Sequence, residues 1–580
     1  MNPSLNRLAA CLAAALPALV SLPSLAAPAT YTPVTDARLA NPEPANWLQY
    51  RGNYQGWGYS PLSQITDKNV ARLQLAWAFT TGQTEGHQSP PIVNNGYMYV
   101  TTPGAQVIAM DAAAGTELWR WKKELPGDLM QLHPTNRGVA LYGDKVYVAT
   151  VDAHLVALDA KTGKQVWQAA VGDPKALQYI TLAPLAAKGK IMVGSSGGET
   201  GVRGFVAAFD AETGKEAWRT YTTAAPGEPG GDTWPGDTHK NGGGSIWITG
   251  TYDPTSNLAY WGTGNPAPWP TEGRKGDNLY TTSAIALDVD SGRVKGHHQY
   301  HHNDAWDWDE VSAPVLIDTE VKGRKVKAAI HAGRNGYLWM LERQTDGKIG
   351  FIDALPYVHN DVFKSIDKVT GRPTYDESRK PGMGKAVGFC PSLWGGKDWP
   401  PEAWNPKTGL FYIPANNNLC AELPAAEPTK YKKGDLYIGY PIEGVLGSLR
   451  YKDGKKPGTI GELQAWDLKT GKLAWVHKFD THLWAPLLTT GGNLLFAGGT
   501  NDRQFRAFDA STGKVLWQHA MPSGVTAVPT SFEVHGEQYI AVQAGWGVDA
   551  QRMQSGIDSL TGQPHSVPQG GTVMVFKLGK

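Results

Sequence analysis

Residues 107–119, VIAMDAAAGTELW, decide the fold, because the chain writes this stretch again and again. LVALDAKTGKQVW ends at Trp167, VAAFDAETGKEAW at Trp218, LQAWDLKTGKLAW at Trp475 and FRAFDASTGKVLW at Trp517. In each copy an Asp stands four residues before a Gly, and that Gly stands four before the Trp. Alternating apolar residues ahead of the Asp predict a strand with one buried face. Asp, Thr and Gly then predict a tight turn, with the Gly free to take a positive φ. The strand after the turn carries the Trp, whose broad apolar body can wedge between neighbouring sheets. Weaker copies, IALDVDSGRV around Asp288, MLERQTDGKI around Arg343 and AWNPKTGLFY around Asn405, bring the count to eight. Adjacent strong copies lie roughly 40 to 50 residues apart, room for four short strands. Sheets of that size cannot bury both faces alone. They must stack, and radial closure limits their exposed edges. The expected fold is all-β: an eight-bladed β-propeller with tryptophan-docking repeats.

Composition agrees. The 580 residues include 68 Gly, 22 Trp and 23 Tyr, while charged residues make up only 18%, a turn-rich and aromatic balance. A formal net charge of +1 supplies no bulk field for nucleic acid or an anionic membrane. Arg7 and the apolar run 8–20 precede the small-x-small pattern of Ser24, Leu25 and Ala26, so residues 1–26 read as a secretory signal peptide. The run is too short for a membrane span. A lipid anchor at Cys11 is the alternative, but most of the apolar run follows that cysteine, which favours soluble export to the periplasm. Residues 27–580 then form one propeller domain. Export leaves Cys390 and Cys420. An even count in an exported chain favours a disulfide over two buried thiols, worth roughly 3 kcal/mol in the chain-entropy account. Segments 357–388 and 425–457, rich in Pro, Gly and Lys, read as inserted loops over one face, where function commonly sits.

From WLQYRGNYQGWGYSPLSQI, starting at Trp47, to the last strands, the mature chain resembles the quinoprotein alcohol dehydrogenases. These bind pyrroloquinoline quinone and a metal ion, and share the Asp-x-x-Thr-Gly-x-x-x-Trp repeat. In GSSGGETGVRG the resemblance makes Glu199 a metal ligand and lays Ser196, Gly197 and Gly198 against the cofactor. In GGGSIWITGTYDP it makes Trp247 the indole stacked on the quinone, and in WGTGNPAPWP it makes Asn265 an amide-oxygen metal ligand. In NDAWDWDEV it makes Asp307 both ligand and catalytic base; in HAGRNGYLW it makes Arg334 the partner of the quinone oxygen. The chemistry is coherent, since hard cations take carboxylate and amide oxygens and a carboxylate beside a quinone can accept the alcohol proton. Taken singly, each residue reads as a turn, core or surface residue. Four motifs in order reverse that reading.

Asp309 sits where lanthanide-using members carry an additional carboxylate and calcium-using methanol dehydrogenases carry Ala. Two residues along a strand face the same way, so the metal is Ca²⁺ or, with this extra ligand, a trivalent lanthanide. Arg137, Thr150, Thr181 and Trp399 match further cofactor contacts, and Cys390–Cys420 matches a family disulfide. Two departures stand out. Leu132 and His133 replace the adjacent cysteines that many relatives set against the quinone, and Asp398 stands where many have Asn. The first favours a bulky or secondary alcohol over methanol. No Cys-x-x-Cys-His occurs, so there is no covalent haem and electrons must pass to a separate partner, a periplasmic cytochrome c. The competing reading is a non-catalytic propeller scaffold of the outer-membrane assembly type, which shares the repeat but needs none of these site residues.

Overall fold

In the first repeat, the Asp111 carboxylate accepts from the backbone N–H groups of Ala113 and Ala114, and Gly115 takes φ 73°. This turn pairs strand Gln106–Asp111 with strand Glu117–Lys122. Asp159, Asp210, Asp288 and Asp509 build the same turn. Each Trp then reaches the next sheet. Trp119 donates its indole N–H to the carbonyl of Ala160 at 3.1 Å, and its ring lies over Gly163, where a Cβ would stand 2.5 Å away. Trp167 docks likewise on Ala211 and Gly214, Trp218 on Val289 and Gly292, and Trp475 on Ala510 and Gly513. The repeat is therefore a seat for the preceding tryptophan as well as a turn.

The computed structural model describes residues 31–579 except 131, 447 and 457; the expected signal peptide lies outside them. The strands form a β-propeller of four-stranded antiparallel meanders within residues 92–122, 139–170, 185–221, 251–299, 315–356, 403–479 and 488–520, the last extended by the parallel strand Tyr59–Ser60. One further sheet joins the chain's two ends: strand Leu73–Thr80 pairs with Thr572–Leu578, beside Glu537–Ala544 and Thr530–Val534. Trp517 closes the series by donating to the carbonyl of Leu73 at 2.9 Å. The described residues contain no helix long and apolar enough to cross a membrane.

Two expectations need correcting. The Asn405 copy marks no sheet of its own. It turns between strands Ala403–Asn405 and Leu410–Asn416, in the same sheet as the strong copy ending at Trp475. Its Gly409 seats nothing within 4 Å. The sheet that no copy marks is the one made from both chain ends. The inserted segments are also more than loops. Segment 357–388 carries the hairpin Phe363–Ile366 and Pro373–Tyr375 around a further Asp–Thr–Gly turn, Asp367 to Gly371. Here Phe351 takes the tryptophan's place, 2.5 Å from a Cβ built on Gly371. Segment 425–457 adds helix Ile442–Leu446 and strand Leu449–Tyr451, which joins Leu419–Leu423 and Val387–Phe389 in a small sheet. The Cys390–Cys420 disulfide, with Cα atoms 4.4 Å apart, staples that sheet.

Candidate active site

A cavity of about 190 Å³ gathers Ser196, Gly197, Glu199, Trp247, Asp307, Asp309 and Arg334. Glycine makes the approach possible. Gly197 has φ 103° at the turn that presents Glu199, and a Cβ on Gly194 would stand 2.3 Å from Ile246. The two aspartates are aimed by their neighbours. Trp306 and Trp308 are fully buried and stack with ring centres 5.2 Å apart; between them Asp307 takes a left-handed φ of 60°, and both Asp307 and Asp309 line the cavity. Asp304 fixes this loop from below, accepting from the backbone N–H groups of Trp306, Asp307 and Trp308.

Asp309 accepts from the backbone N–H of Asn265 at 2.6 Å and from the Trp247 indole at 3.0 Å. Arg334 donates to the Asp307 carbonyl at 2.8 Å and to the Asp398 carboxylate at 2.5 Å. Its guanidinium also lies 3.9 Å from the Asp307 carboxylate and 4.0 Å from that of Asp309. Burial pushes Asp307 well above the usual carboxylate range; Arg334 opposes this, and repulsion from Asp309 and Glu199 adds to it. Burial likewise raises Asp309 to about 7, against Arg334 and with Glu199. Crowded, buried carboxylates of this kind carry more negative charge than the one guanidinium beside them balances.

The orphaned atoms say where it belongs. Asp307 Oδ1 and Asn265 Oδ1 are buried with no hydrogen-bond partner among the described residues. A Cβ on Gly198 would stand 3.7 Å from that amide oxygen. Glu199, Asn265, Asp307 and Asp309 thus offer the all-oxygen donor set that a hard cation takes. Their oxygens do not form a closed cage. Among the described residues, the ligand atoms that lie within 4.8 Å of one another are those of His359, Asp361 and Cys390, and that sulfur is spent in the disulfide.

The expected cofactor contacts divide. Arg137 lies 4.9 Å from the Trp247 ring and 4.8 Å from that of Trp399, and donates to Thr181 Oγ1 at 2.6 Å. Thr181 in turn contacts Ser196 Oγ at 3.1 Å. All five line the cavity. Thr150 is not brought there: its hydroxyl donates to Asp152 at 2.5 Å. Sequence reasoning missed other walls. Asp549, from helix Val548–Thr561, stands 2.9 Å from His133 and 3.6 Å from Arg552. Burial works against the His133 cation, but Asp549 outweighs it and raises the imidazole above its ordinary value. Leu436, Ile438, Ile442 and Val445 bring an apolar wall from segment 425–457, the one part of the wall that the insertion signalled.

A buried chain supports the two central residues. His301 stands 2.9 Å from Asp304 and 3.6 Å from Glu310; Glu310 meets His331 at 2.6 Å and accepts from the backbone N–H of Arg334 at 3.0 Å. The loops carrying Asp307 and Arg334 are therefore tied through a shared network.

Known proteins carry the same architecture. The family described as glucose/ethanol/alcohol dehydrogenase, beta-propeller domain, matches residues 47–356 and 478–540. The quinoprotein alcohol dehydrogenase PedH of Pseudomonas putida is 38% identical over 91% of this chain and 90% of its own. The lanthanide-dependent methanol dehydrogenase of Methylacidiphilum fumariolicum is 35% identical over 92% of this chain and 93% of its own. The solved structure of a europium-containing methanol dehydrogenase superposes with a TM-score of 0.87 at 34% identity, covering 94% of this chain and all of that one. With the repeat and these likenesses in agreement, the chain belongs to the quinoprotein alcohol dehydrogenase family.

Proposed function

We propose that this chain is a periplasmic dehydrogenase that oxidises an alcohol to the aldehyde or ketone and passes the electrons to a cytochrome c. The observation that carries the reading is the meeting of Glu199, Asp307, Asp309 and Arg334 in one cavity with Trp247 and Arg137. When bound there, pyrroloquinoline quinone supplies a hydride acceptor and the cation polarises its carbonyl. Glu199, Asn265, Asp307 and Asp309 would hold the cation, Trp247 would lie against the quinone plane, and Arg137 with Thr181 would take a carboxylate. Asp307 accepts the hydroxyl proton of the alcohol, and a cation held beside it would lower its raised pKa. Arg334, held by Asp398, keeps a fixed cation where negative charge develops.

Two finer readings follow from the walls. Asp309 adds a carboxylate to the donor set, which favours a trivalent lanthanide over Ca²⁺. The apolar wall of Leu436, Ile438, Ile442 and Val445, in the cavity that His133 and Asp549 also line, suits a bulky or secondary alcohol. The test is reconstitution of the purified protein with the quinone and either Ca²⁺ or La³⁺, across a panel of alcohols with an artificial electron acceptor. Turnover that needs both quinone and metal is expected, faster with La³⁺ and with the bulkier alcohols. Asp307→Asn should lower kcat by roughly 10²–10⁴-fold while the quinone stays bound. No quinone binding and no dye reduction would leave the scaffold reading in its place.

A further inference from the structure

A second, smaller cavity of about 50 Å³ shares its walls' chain segments with the active-site cavity. The same segments line both at successive positions: Arg137 then Val139, Thr181 then Leu185, Trp247 then Thr249, and Trp399 then Glu402. Arg51 lines this inner cavity and is 6% exposed. One of its nitrogens, Nη2, donates to the backbone carbonyls of Glu402 at 2.5 Å and Leu487 at 2.8 Å. Its Nε and Nη1 are buried with no partner among the described residues, and the hydroxyl of Tyr50, which also lines the cavity and feels the charges of Arg137 and Arg51, has none either.

Charge makes the arrangement unusual. A buried guanidinium is normally paired or has its N–H groups filled. Arg274 illustrates the second solution: its three nitrogens all donate, to Pro268, Trp269 and Asp304 carbonyls and to the Asn278 side chain. Arg51 has neither. The Glu402 carboxylate, also buried, is engaged by Lys397 at 3.4 Å and by the backbone N–H of Ala332 at 3.1 Å. Two buried cations thus share one carboxylate. Burial lowers Arg51 only to about 10, so the charge persists at neutral pH.

We propose that the inner cavity binds a small monovalent anion of chloride size, held by Arg51 Nε and Nη1 with the Tyr50 hydroxyl. The space is about 50 Å³, against 190 Å³ for the upper cavity, which favours a small anion over a large one. The anion completes the floor of the active site. Segment 397–402 runs from Asp398 and Trp399, which line the upper cavity, to Glu402, whose carbonyl rests on Arg51. This inference stands independently of the quinone chemistry proposed above.

Crystals of the enzyme soaked in sodium bromide should give an anomalous peak beside the Arg51 guanidinium. In solution, at constant ionic strength, chloride in place of gluconate should raise Tm saturably by about 2–4 °C. Arg51→Met should abolish that chloride dependence; should this variant fail to fold, Tyr50→Phe should raise the half-saturating chloride concentration several-fold. A cavity without bromide and a Tm equal in both salts would mean water alone fills it, and the proposal fails. It fails equally if the chloride effect survives in Arg51→Met, or if bromide binds there without any effect of chloride on Tm.

Discussion

Asp309 holds the Asn265 backbone and the Trp247 indole at once, so one carboxylate joins two walls of the site. Asp309→Ala should weaken La³⁺ binding to the refolded protein at least tenfold and Ca²⁺ binding less, read by metal titration. Equal La³⁺ affinity would sink the lanthanide reading. Asp398 is the complementary case, visible in the sequence only as a departure from Asn. It lies 2.5 Å from Arg334, a charge-assisted contact between two buried groups. Asp398→Asn should lower kcat about tenfold with KM nearly unchanged, because it loosens Arg334 without touching the pocket's apolar wall. Asp307, Glu199, Trp247 and Arg334 were legible because each sits in a local motif of a few residues. Asp549 was not, since nothing near it in the chain announces that it will meet His133, more than 400 residues earlier.

The element that explains most is the seat formed between one repeat's glycine and the tryptophan of the sheet before it. Its turn was readable, because Asp, Thr and Gly act within five residues; its second role was not, because the ring comes from another sheet. Gly163 and Gly409 separate the two. Both have positive φ, 70° and 68°, but a Cβ on Gly163 would press on Trp119 at 2.5 Å, and one on Gly409 meets nothing. Gly409→Ala should cost only the left-handed penalty, about 1–2 kcal/mol. Gly163→Ala should cost about 1–3 kcal/mol more from the forced ring displacement, measured by thermal or denaturant unfolding of both variants. Equal losses would show that the ring carries no weight. The Asn405 copy was misassigned for the same reason: the local turn recurs there without a tryptophan to receive, so the pattern alone does not mark a sheet.

At the scale of the whole molecule, the ring closes by pairing Leu73–Thr80 with Thr572–Leu578, a contact no repeat could predict because it has no copy of the turn. Closure of this kind packs groups from distant segments into a common dry interior, histidines among them. Burial, the largest cause in each, lowers His87 to about 4 and His298 and His482 to about 3, against roughly 6.5 in an unfolded chain. Between those values the unfolded chain binds more protons, so stability is full above about pH 6.5 and is lost as pH falls toward 4 and 3. The active-site carboxylates have the opposite sign while no cation is present. Asp309, raised to about 7, and Asp307, raised well above the usual carboxylate range, bind more protons folded than unfolded, and for Asp309 stability is withdrawn as pH rises from about 4 through 7. A cation seated on the two carboxylates, as proposed, would remove that second loss by holding them ionised, and its affinity would grow as they lose protons. Chelation should therefore lower Tm strongly at pH 8 and little at pH 5, while both forms lose Tm below pH 6 through the histidines. Thermal unfolding with and without chelator at the two pH values reads this directly; an equal chelator effect at both would mean that the carboxylates are not the cation's seat.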